Sequence, residues 1–437
     1  MSRILPFLAG AAAVLALWGA DGSAAFAADE PPFPIDRAAA PLFDDPVWHG
    51  AADPSVLWNP LAREFTIYYT QRRATLQNSN GVDWVHGSAI GMATSKDGVQ
   101  WKYAGICTGD EGLGTPMDQK CSWWAPSVMF NDNQFHLLVS CVDGIYADWT
   151  GKRTIKYFIS QNGKEWKYRQ TLPLSSDNCI DPCVHKIGDQ WFVWYKDEGH
   201  ESKTYAATSP DLQSWKVRGP VITDVPHEAP LVWRWQKAYW LIVDAWDKGL
   251  RIYRSDDGIA GWQYNSTILI EPGKRPKDAG RGGHPGILLQ GNRVFVFYQV
   301  VYAHDRETVL QVAELELDAA GKAVCDRDRH AAKAQAPPEG ATITNSLGMK
   351  LVRIPAGEFQ MGSGESAMDL DDVYGKDYYA NPPADDPKGP DTGTERVMRG
   401  GGWSGDARHC RSANRFAVVP SGRHSNIGFR VALTADN

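Results

Sequence analysis

The sequence predicts an all-β chain whose larger part is a five-bladed β-propeller, followed by a short C-terminal segment of another kind. Three observations carry this. One pattern, a small or polar residue followed by proline and an apolar strand, occurs five times: HGAADPSVLWNP at 49–60, WWAPSVMF at 123–130, IDPCVHKI at 180–187, HEAPLVWRW at 227–235 and GHPGILLQ at 283–290. Its prolines, Pro54, Pro126, Pro182, Pro230 and Pro285, recur at about the length of one four-stranded blade. Between them, apolar residues alternate or run briefly between turn signals, with no sustained helical period.

Residues 1–27 carry an early Arg3, an apolar run and the small-residue ending Ala25-Phe26-Ala27, the pattern of a signal peptide cleaved after Ala27. The mature protein is therefore expected in the periplasm or outside the cell. No later run reaches the length of a membrane span. A proline-rich lead-in (28–47) precedes the propeller (48–325), in which each copy continues from its proline strand into a second, aromatic strand. These are EFTIYYTQRR (64–73), QFHLLVSCV (134–142), QWFVWYKDE (190–198), AYWLIVDAW (238–246) and RVFVFYQVV (293–301). In four copies a third strand leads through a Ser-centred turn to a tryptophan, Trp101, Trp166, Trp215 or Trp262, placed to pack between neighbouring sheets. The fifth copy lacks that line and ends in VLQVAELELD (309–318). A charged, then Ala- and Pro-rich linker (326–343) leads to a glycine-rich segment (344–437) without the blade pattern.

With 437 residues, 43% of them apolar, the chain can bury a large core. A net charge of -7 gives no electrostatic basis for binding nucleic acid or an anionic membrane. Eighteen tryptophans and sixteen tyrosines mostly fill strands and blade interfaces, with a minority free to stack on sugar rings. Seven cysteines allow disulfides in an oxidising compartment and leave at least one unpaired. Cys107 with Cys121 is the first pairing to expect, whereas a Cys179–Cys183 bond within one strand would be strained.

Three of the five copies carry a carboxylate at or beside the proline: Asp53, Asp181 and Glu228. A fourth carries His284. A lone Asp-Pro is more often a structural turn. Three acids at matching points of a ring converge on one volume, and Ala125-Pro126 in the second copy shows that the strand start does not require an acid. Cleaving a glycosidic bond needs an acid for the departing oxygen and a base or nucleophile on the opposite face of the sugar. Carboxyls serve both roles when their environments separate their pKa values.

On the motifs ADPSV, WAPSV, IDPCV, HEAP and GH, residues 48–328 resemble the family 43 glycoside hydrolases and related five-bladed enzymes: arabinanases, xylosidases and neoagarobiose hydrolases. The resemblance implies that Asp53 is the general base, Asp181 the orienting and pKa-modulating aspartate, and Glu228 the general acid of an inverting reaction. It places His284 at the axis near a Ca2+ or water site and requires no cofactor for the chemistry. His227, directly before Glu228, departs from the pattern. Neoagarobiose hydrolases are thought to use a histidine acid, so Glu228 and His227 both stand as acids. Arg72, Arg73, Lys196, Asp197 and Asp247 are expected at the pocket mouth, where cations could hold a uronate or sulfate. Trp84, Trp123 and Trp124 are the stacking candidates. The expected protein is an exported, monomeric, exo-acting glycosidase on plant or algal oligosaccharides. A non-catalytic sugar-binding propeller is the alternative.

Two stretches of the tail, 344–366 and 395–433, are similar to the two ends of the formylglycine-generating, sulfatase-modifying factor family, whose fold is related to C-type lectins. About thirty residues stand between them where a complete member has well over a hundred. The family's oxidase uses two cysteines to hold Cu(I). Cys410 matches the second, and Gly405 stands where the first belongs. One thiol cannot supply that pair, so the segment reads as a remnant and a sulfatase-modifying activity ranks last.

Overall fold

A computed structural model describes residues 30–114 and 121–330, together with residues 342–344, 350–352, 394, 396–398 and 416–418. The leader and its cleavage point, most of the linker, Gly405 and Cys410 lie outside the described residues. The chain divides into two compact units, residues 1–337 and 338–437. In the second unit the described elements are two antiparallel pairs, Thr342–Thr344 with Lys350–Val352 and Arg396–Met398 with Phe416–Val418. Among the described residues there is no α-helix, only strands and 3-10 turns.

The first unit is a ring of five antiparallel sheets. Blade 1 is Ala51–Asn59, Glu64–Gln71, Ala89–Ser95 and Lys102–Ile106. Blade 2 is Ser122–Asn131, Gln134–Val142, Arg153–Ser160 and Glu165–Thr171, with Thr108–Gly109 added parallel at its outer edge. Blade 3 is Cys179–Ile187, Gln190–Asp197, Lys203–Ser209 and Lys216–Ile222. Blade 4 is Glu228–Trp235, Ala238–Asp244, Leu250–Ser255 and Gln263–Ile268. Blade 5 has Gly283–Gln290, Arg293–Ala303 and Glu307–Leu317, and its outer strand is the N-terminal Phe43–Asp44. The lead-in is therefore part of the ring: Phe43 faces Leu310 and Asp44 faces Val309. Sequence periodicity missed this closure because the strand is two residues long and lies outside the repeat.

Second strands lie within the sheets, buried on both faces, and are apolar nearly throughout. Outer strands such as Lys216–Ile222 alternate between exposed and covered side chains. The core consists of one apolar cluster at each interface between neighbouring blades. The tryptophan that ends each third-strand line packs toward the preceding blade. Trp166 is buried with Tyr68, Phe135 and Phe158 between blades 1 and 2. Trp215 packs between blades 2 and 3, Trp262 between 3 and 4, and Trp101 between 5 and 1. At the 4–5 interface, where no such line exists, Trp233, Trp235 and Trp240 fill the space.

The turns before these tryptophans share one chemistry. Asp97 Oδ1 accepts from the N–H groups of Val99 and Gln100 while Ser95 Oγ accepts from Gly98 N–H. Asn162, Asp211 and Asp257 repeat the cap. Gly98, Gly163 and Gly258 supply the positive φ the turn needs, and Leu212 adopts it in blade 3.

The pairing expected of Cys107 with Cys121 is not formed. Cys107 is buried and free, and the Cys121 thiol lies against Cys141. Phe33, 1% exposed, stands among Phe65, Phe295 and Phe297 at centroid distances of 5.6, 5.0 and 5.4 Å, so the lead-in locks blades 5 and 1 together with an aromatic plug. Replacing Phe33 with Ala is expected to lower unfolding free energy by about 3–5 kcal/mol, read as a fall in the denaturation midpoint.

Candidate active site

Every inner strand slips by one residue near its start. The ladder shifts between Ala52 and Ser55, Trp124 and Ser127, Ile180 and Cys183, Glu228 and Leu231, and Gly283 and Gly286. The residue before each proline, Asp53, Ala125, Asp181, Ala229 or His284, has a φ of 51, 47, 55, 53 or 44°. This left-handed backbone is uncommon outside glycine, although Asp and His tolerate it better than most. It costs about 1–3 kcal/mol per residue and persists only where the surroundings hold it. A bulge re-aims its side chain. Here Asp53, Asp181 and His284 are turned into an axial cavity of about 150 Å³ walled by the five proline-bearing segments. Blades approach so closely there that a Cβ on Gly286 would stand 2.4 Å from the Pro54 carbonyl oxygen.

The N–H of each bulge residue is capped by a side chain of the preceding blade. Asp53 N–H donates to Gln299 Oε1 (2.9 Å), Ala125 N–H to Thr70 Oγ1 (2.8 Å), Asp181 N–H to Ser140 Oγ (2.9 Å) and His284 N–H to Asp244 Oδ2 (2.9 Å). All four acceptors occupy one register position on the second strands: Thr70 faces Ala52, Ser140 faces Trp124, Asp244 faces Glu228 and Gln299 faces Gly283. In blade 3 that position is Lys196, facing Ile180, and an ammonium cannot accept. Ala229 N–H donates instead to Asp181 Oδ2 at 3.0 Å.

Glu228 does not stand at a matching point with Asp53 and Asp181, as the sequence reading had it. The equivalent residue of blade 4 is Ala229, and Glu228 is one residue earlier, in regular ladder opposite Asp244. Its longer side chain still joins the same electrostatic group, since Asp53, Asp181 and Glu228 all act on His284.

The charges interlock. Arg72 Nη2 donates to Asp53 Oδ1 at 2.7 Å, and His284 Nδ1 lies 2.9 Å from the same oxygen. Burial pushes the Asp53 carboxyl up, but Arg72, His284 and a hydrogen bond from Thr70 override it and hold Asp53 well below the usual carboxylate range. Burial opposes the His284 cation, yet Asp53, Asp181 and Glu228 raise it from 6.5 to about 9. Asp181 is raised, by burial first and by Glu228 and Asp53, against the pull of His284 and Lys196. Glu228 is raised by burial, but Lys196 and His284 win and lower it. Lys196 Nζ stands 3.3 Å from Glu228 Oε2 and 2.9 Å from Glu198 Oε1, and Arg153 also pairs with Glu198. Asp244 is raised to about 6 by burial and by Glu228, with Arg281 at 2.9 Å opposing.

Of the remaining predicted residues, Arg72 and Lys196 belong to the site but spend their charge on its carboxylates. His227 does not reach it. The imidazole is fully buried, with Nε2 2.6 Å from Thr204 Oγ1 and Nδ1 2.8 Å from the Val225 carbonyl, and burial lowers it to about 4. That corrects its assignment as a substrate contact and removes it as the acid. Trp124 is 8% exposed, its indole N–H bonded to the Val85 carbonyl and its ring tilted over His86, so it is a packing residue. Trp123 is fully buried. Trp84 is half-buried beneath the Arg306 guanidinium. Arg73 is tied to the His86 and Asp83 carbonyls and Asp197 to Ser175 and Ser176, so both are structural.

A cation bound through His284 Nδ1 does not fit this arrangement. That nitrogen is committed to Asp53, and no group of three His, Cys, Asp or Glu side chains suited to a metal exists among the described residues. Sequence reasoning missed Asp244, Arg281, Arg153 and Glu198. The available signal was register: the residue where each second strand meets the bulge is polar in all five blades, although its type changes each time.

Comparison with known proteins bears on both parts of the chain. Residues 366–435 match the family described as Sulfatase-modifying factor enzyme 1-like domain. A formylglycine-generating enzyme of Streptomyces coelicolor is 41% identical over 68 residues, which are 15% of this chain and 22% of that enzyme. The chain thus spans about a fifth of the length of this curated relative. The propeller is similar to the structure of a thermostable family-43 glycoside hydrolase, with a TM-score of 0.50 and 17% identity over 63% of this chain and 93% of that one. That likeness is one of fold. The chain joins a propeller of that fold to a segment that matches part of the Sulfatase-modifying factor enzyme 1-like domain.

His284 gives a signed pH dependence. Its folded pKa is raised, so its contribution to stability is fully present below 6.5 and is lost as pH rises through about 9. Asp53 is depressed, so its share is present above 3.8 and is lost as pH falls. The difference in melting temperature between the wild type and His284→Gln is expected to be largest near pH 5–6 and to shrink above pH 9, followed by calorimetry across that range.

Proposed function

We propose that the protein is an exported, inverting glycoside hydrolase, exo-acting on plant or algal oligosaccharides, working as a monomer after cleavage near Ala27. One observation carries the catalytic reading: Asp53, Asp181 and His284, distant in sequence, line one axial cavity, and Glu228 joins their charge network through His284. Export rests on the leader pattern, and exo action on Asp53 and Asp181 meeting at one small cavity.

Asp53, kept ionised by Arg72 and His284, takes a proton from the attacking water. Glu228, at the more open edge with its side chain 25% exposed, delivers a proton to the leaving oxygen. Positive charge develops on the sugar between the two groups, and an inverting geometry needs them about 6.5–9.5 Å apart so that water fits. Asp181, raised by burial and bonded to Ala229 N–H, orients the site.

The C-terminal match brings no oxidase chemistry, because Gly405 stands where the first of the two thiolate ligands belongs. Tight stoichiometric Cu(I) binding by the full chain would overturn that reading.

The test is a panel of aryl glycosides and oligosaccharides on the purified full chain, with the anomeric product followed by proton NMR. Glu228→Gln and Asp53→Asn are each expected to lower kcat by about 10²–10⁴-fold. Glu228→Gln should lose least on aglycones that leave without protonation. Sugar binding by calorimetry without release from any substrate would favour a non-catalytic lectin-like propeller instead.

A further inference from the structure

The five-fold ring of capped bulges is broken once, and the break faces the acid. Four blades place a hydrogen-bond acceptor, Thr70, Ser140, Asp244 or Gln299, at the register position that holds the next blade's bulge. Blade 3 places Lys196 there. The substitution has two local effects. It leaves Ala229 N–H to the Asp181 carboxylate, so one Asp181 oxygen is committed to the backbone. It also sets a buried ammonium, 4% exposed, between Glu198 and Glu228, with the Trp246 ring 5.3 Å away. A lysine is costly to bury without partners. The position otherwise holds a hydrogen-bond acceptor, so backbone capping does not account for a lysine there.

We propose that Lys196 is a positioning residue for Glu228, standing where the other blades carry a capping acceptor and holding the acid's carboxylate by its ammonium, so that proton delivery is confined to acidic solution. This rests on Glu228 being the acid of the proposed hydrolase. The charged groups around Glu228 are Lys196, Glu198 and Asp181 from blade 3, Asp53 and Arg72 from blade 1, Asp244 from its own blade and His284 from blade 5. Arg72 and His284 bond directly to Asp53, and Arg281 to Asp244. Lys196 is the cation in contact with Glu228 itself. Glu198 competes for it at the shorter distance and, with Arg153, fixes how much of the ammonium Glu228 receives. The direction is consistent: Glu228 is lowered although burial raises it, with Lys196 the leading opposing charge. An opposite charge at this range is worth about 1–3 pKa units, or about 10–1,000-fold in proton affinity.

Two measurements on the full-length protein separate this from a merely structural lysine. The first is carboxyl 13C titration of Glu228, identified by the signal lost in Glu228→Gln. The second is kcat/KM against pH on the best substrate of the glycoside panel. Lys196→Met should raise the Glu228 titration and the alkaline limb of kcat/KM by at least tenfold in proton affinity, while Lys196→Arg, which keeps the charge, should stay near wild type. Glu198→Gln should move both the opposite way, toward more acidic pH, and it decides the matter if Lys196→Met does not fold. A Glu228 titration unmoved by these changes overturns the proposal. If no glycoside is turned over, the glycosidase reading fails, and the carboxyl titration alone still decides the role of Lys196.

Discussion

The structure depends on one repeated hydrogen bond, from the N–H of a left-handed residue before proline to a side chain of the neighbouring blade. The bulge is what turns Asp53, Asp181 and His284 toward the axis, and a buried N–H without an acceptor would cost about 1–3 kcal/mol. The cap therefore does two things: it satisfies the backbone where the ladder slips, and it ties each blade to the one before it. Because the acceptors lie on second strands buried on both faces, the geometry at the axis is inherited from the most rigid part of each sheet.

Around that scaffold the site balances its charges internally. Arg72 and His284 meet Asp53, Lys196 and Arg153 meet Glu198, Lys196 also meets Glu228, and Arg281 meets Asp244. Such a network separates the properties of chemically identical groups: Asp53 and Asp181 occupy equivalent bulges, yet one is depressed and the other raised. The difference follows from what each touches. Asp53 has a guanidinium and an imidazole, and Asp181 has a backbone N–H and two like charges nearby.

Much of this was legible in the sequence because a propeller repeats its signals. The prolines mark the bulges, the aromatic runs are the second strands to within two residues or so, and three of the four tryptophan lines end in residues packed against the preceding blade, with Trp101 doing the same across the closure. Glu228 was misplaced because the string HEAP looks equivalent to ADP, whereas backbone conformation assigns the bulge to Ala229. A shift of one residue in a strand reverses the face of its side chain, and His227, just before the strand, is held instead by Thr204 and the Val225 carbonyl. The capping acceptors were invisible as a motif, because Thr, Ser, Asp and Gln share only the ability to accept a hydrogen bond. Trp124 looked like a sugar platform until its indole N–H was seen to satisfy a carbonyl.

The seam between Phe43–Asp44 and Glu307–Leu317 has a consequence for how the molecule is made. The first strand of the ring has no partner until almost the whole propeller has emerged, so the circle closes last and across a separation of more than half the chain. Contacts of that kind are slow to form because chain entropy is surrendered before they reward it. As the chain emerges, the aromatic Phe33 and its flanking strand must wait, unpaired and apolar, for the blade that will shelter them. The interval before closure is the stage of biogenesis at which a chaperone has most to protect.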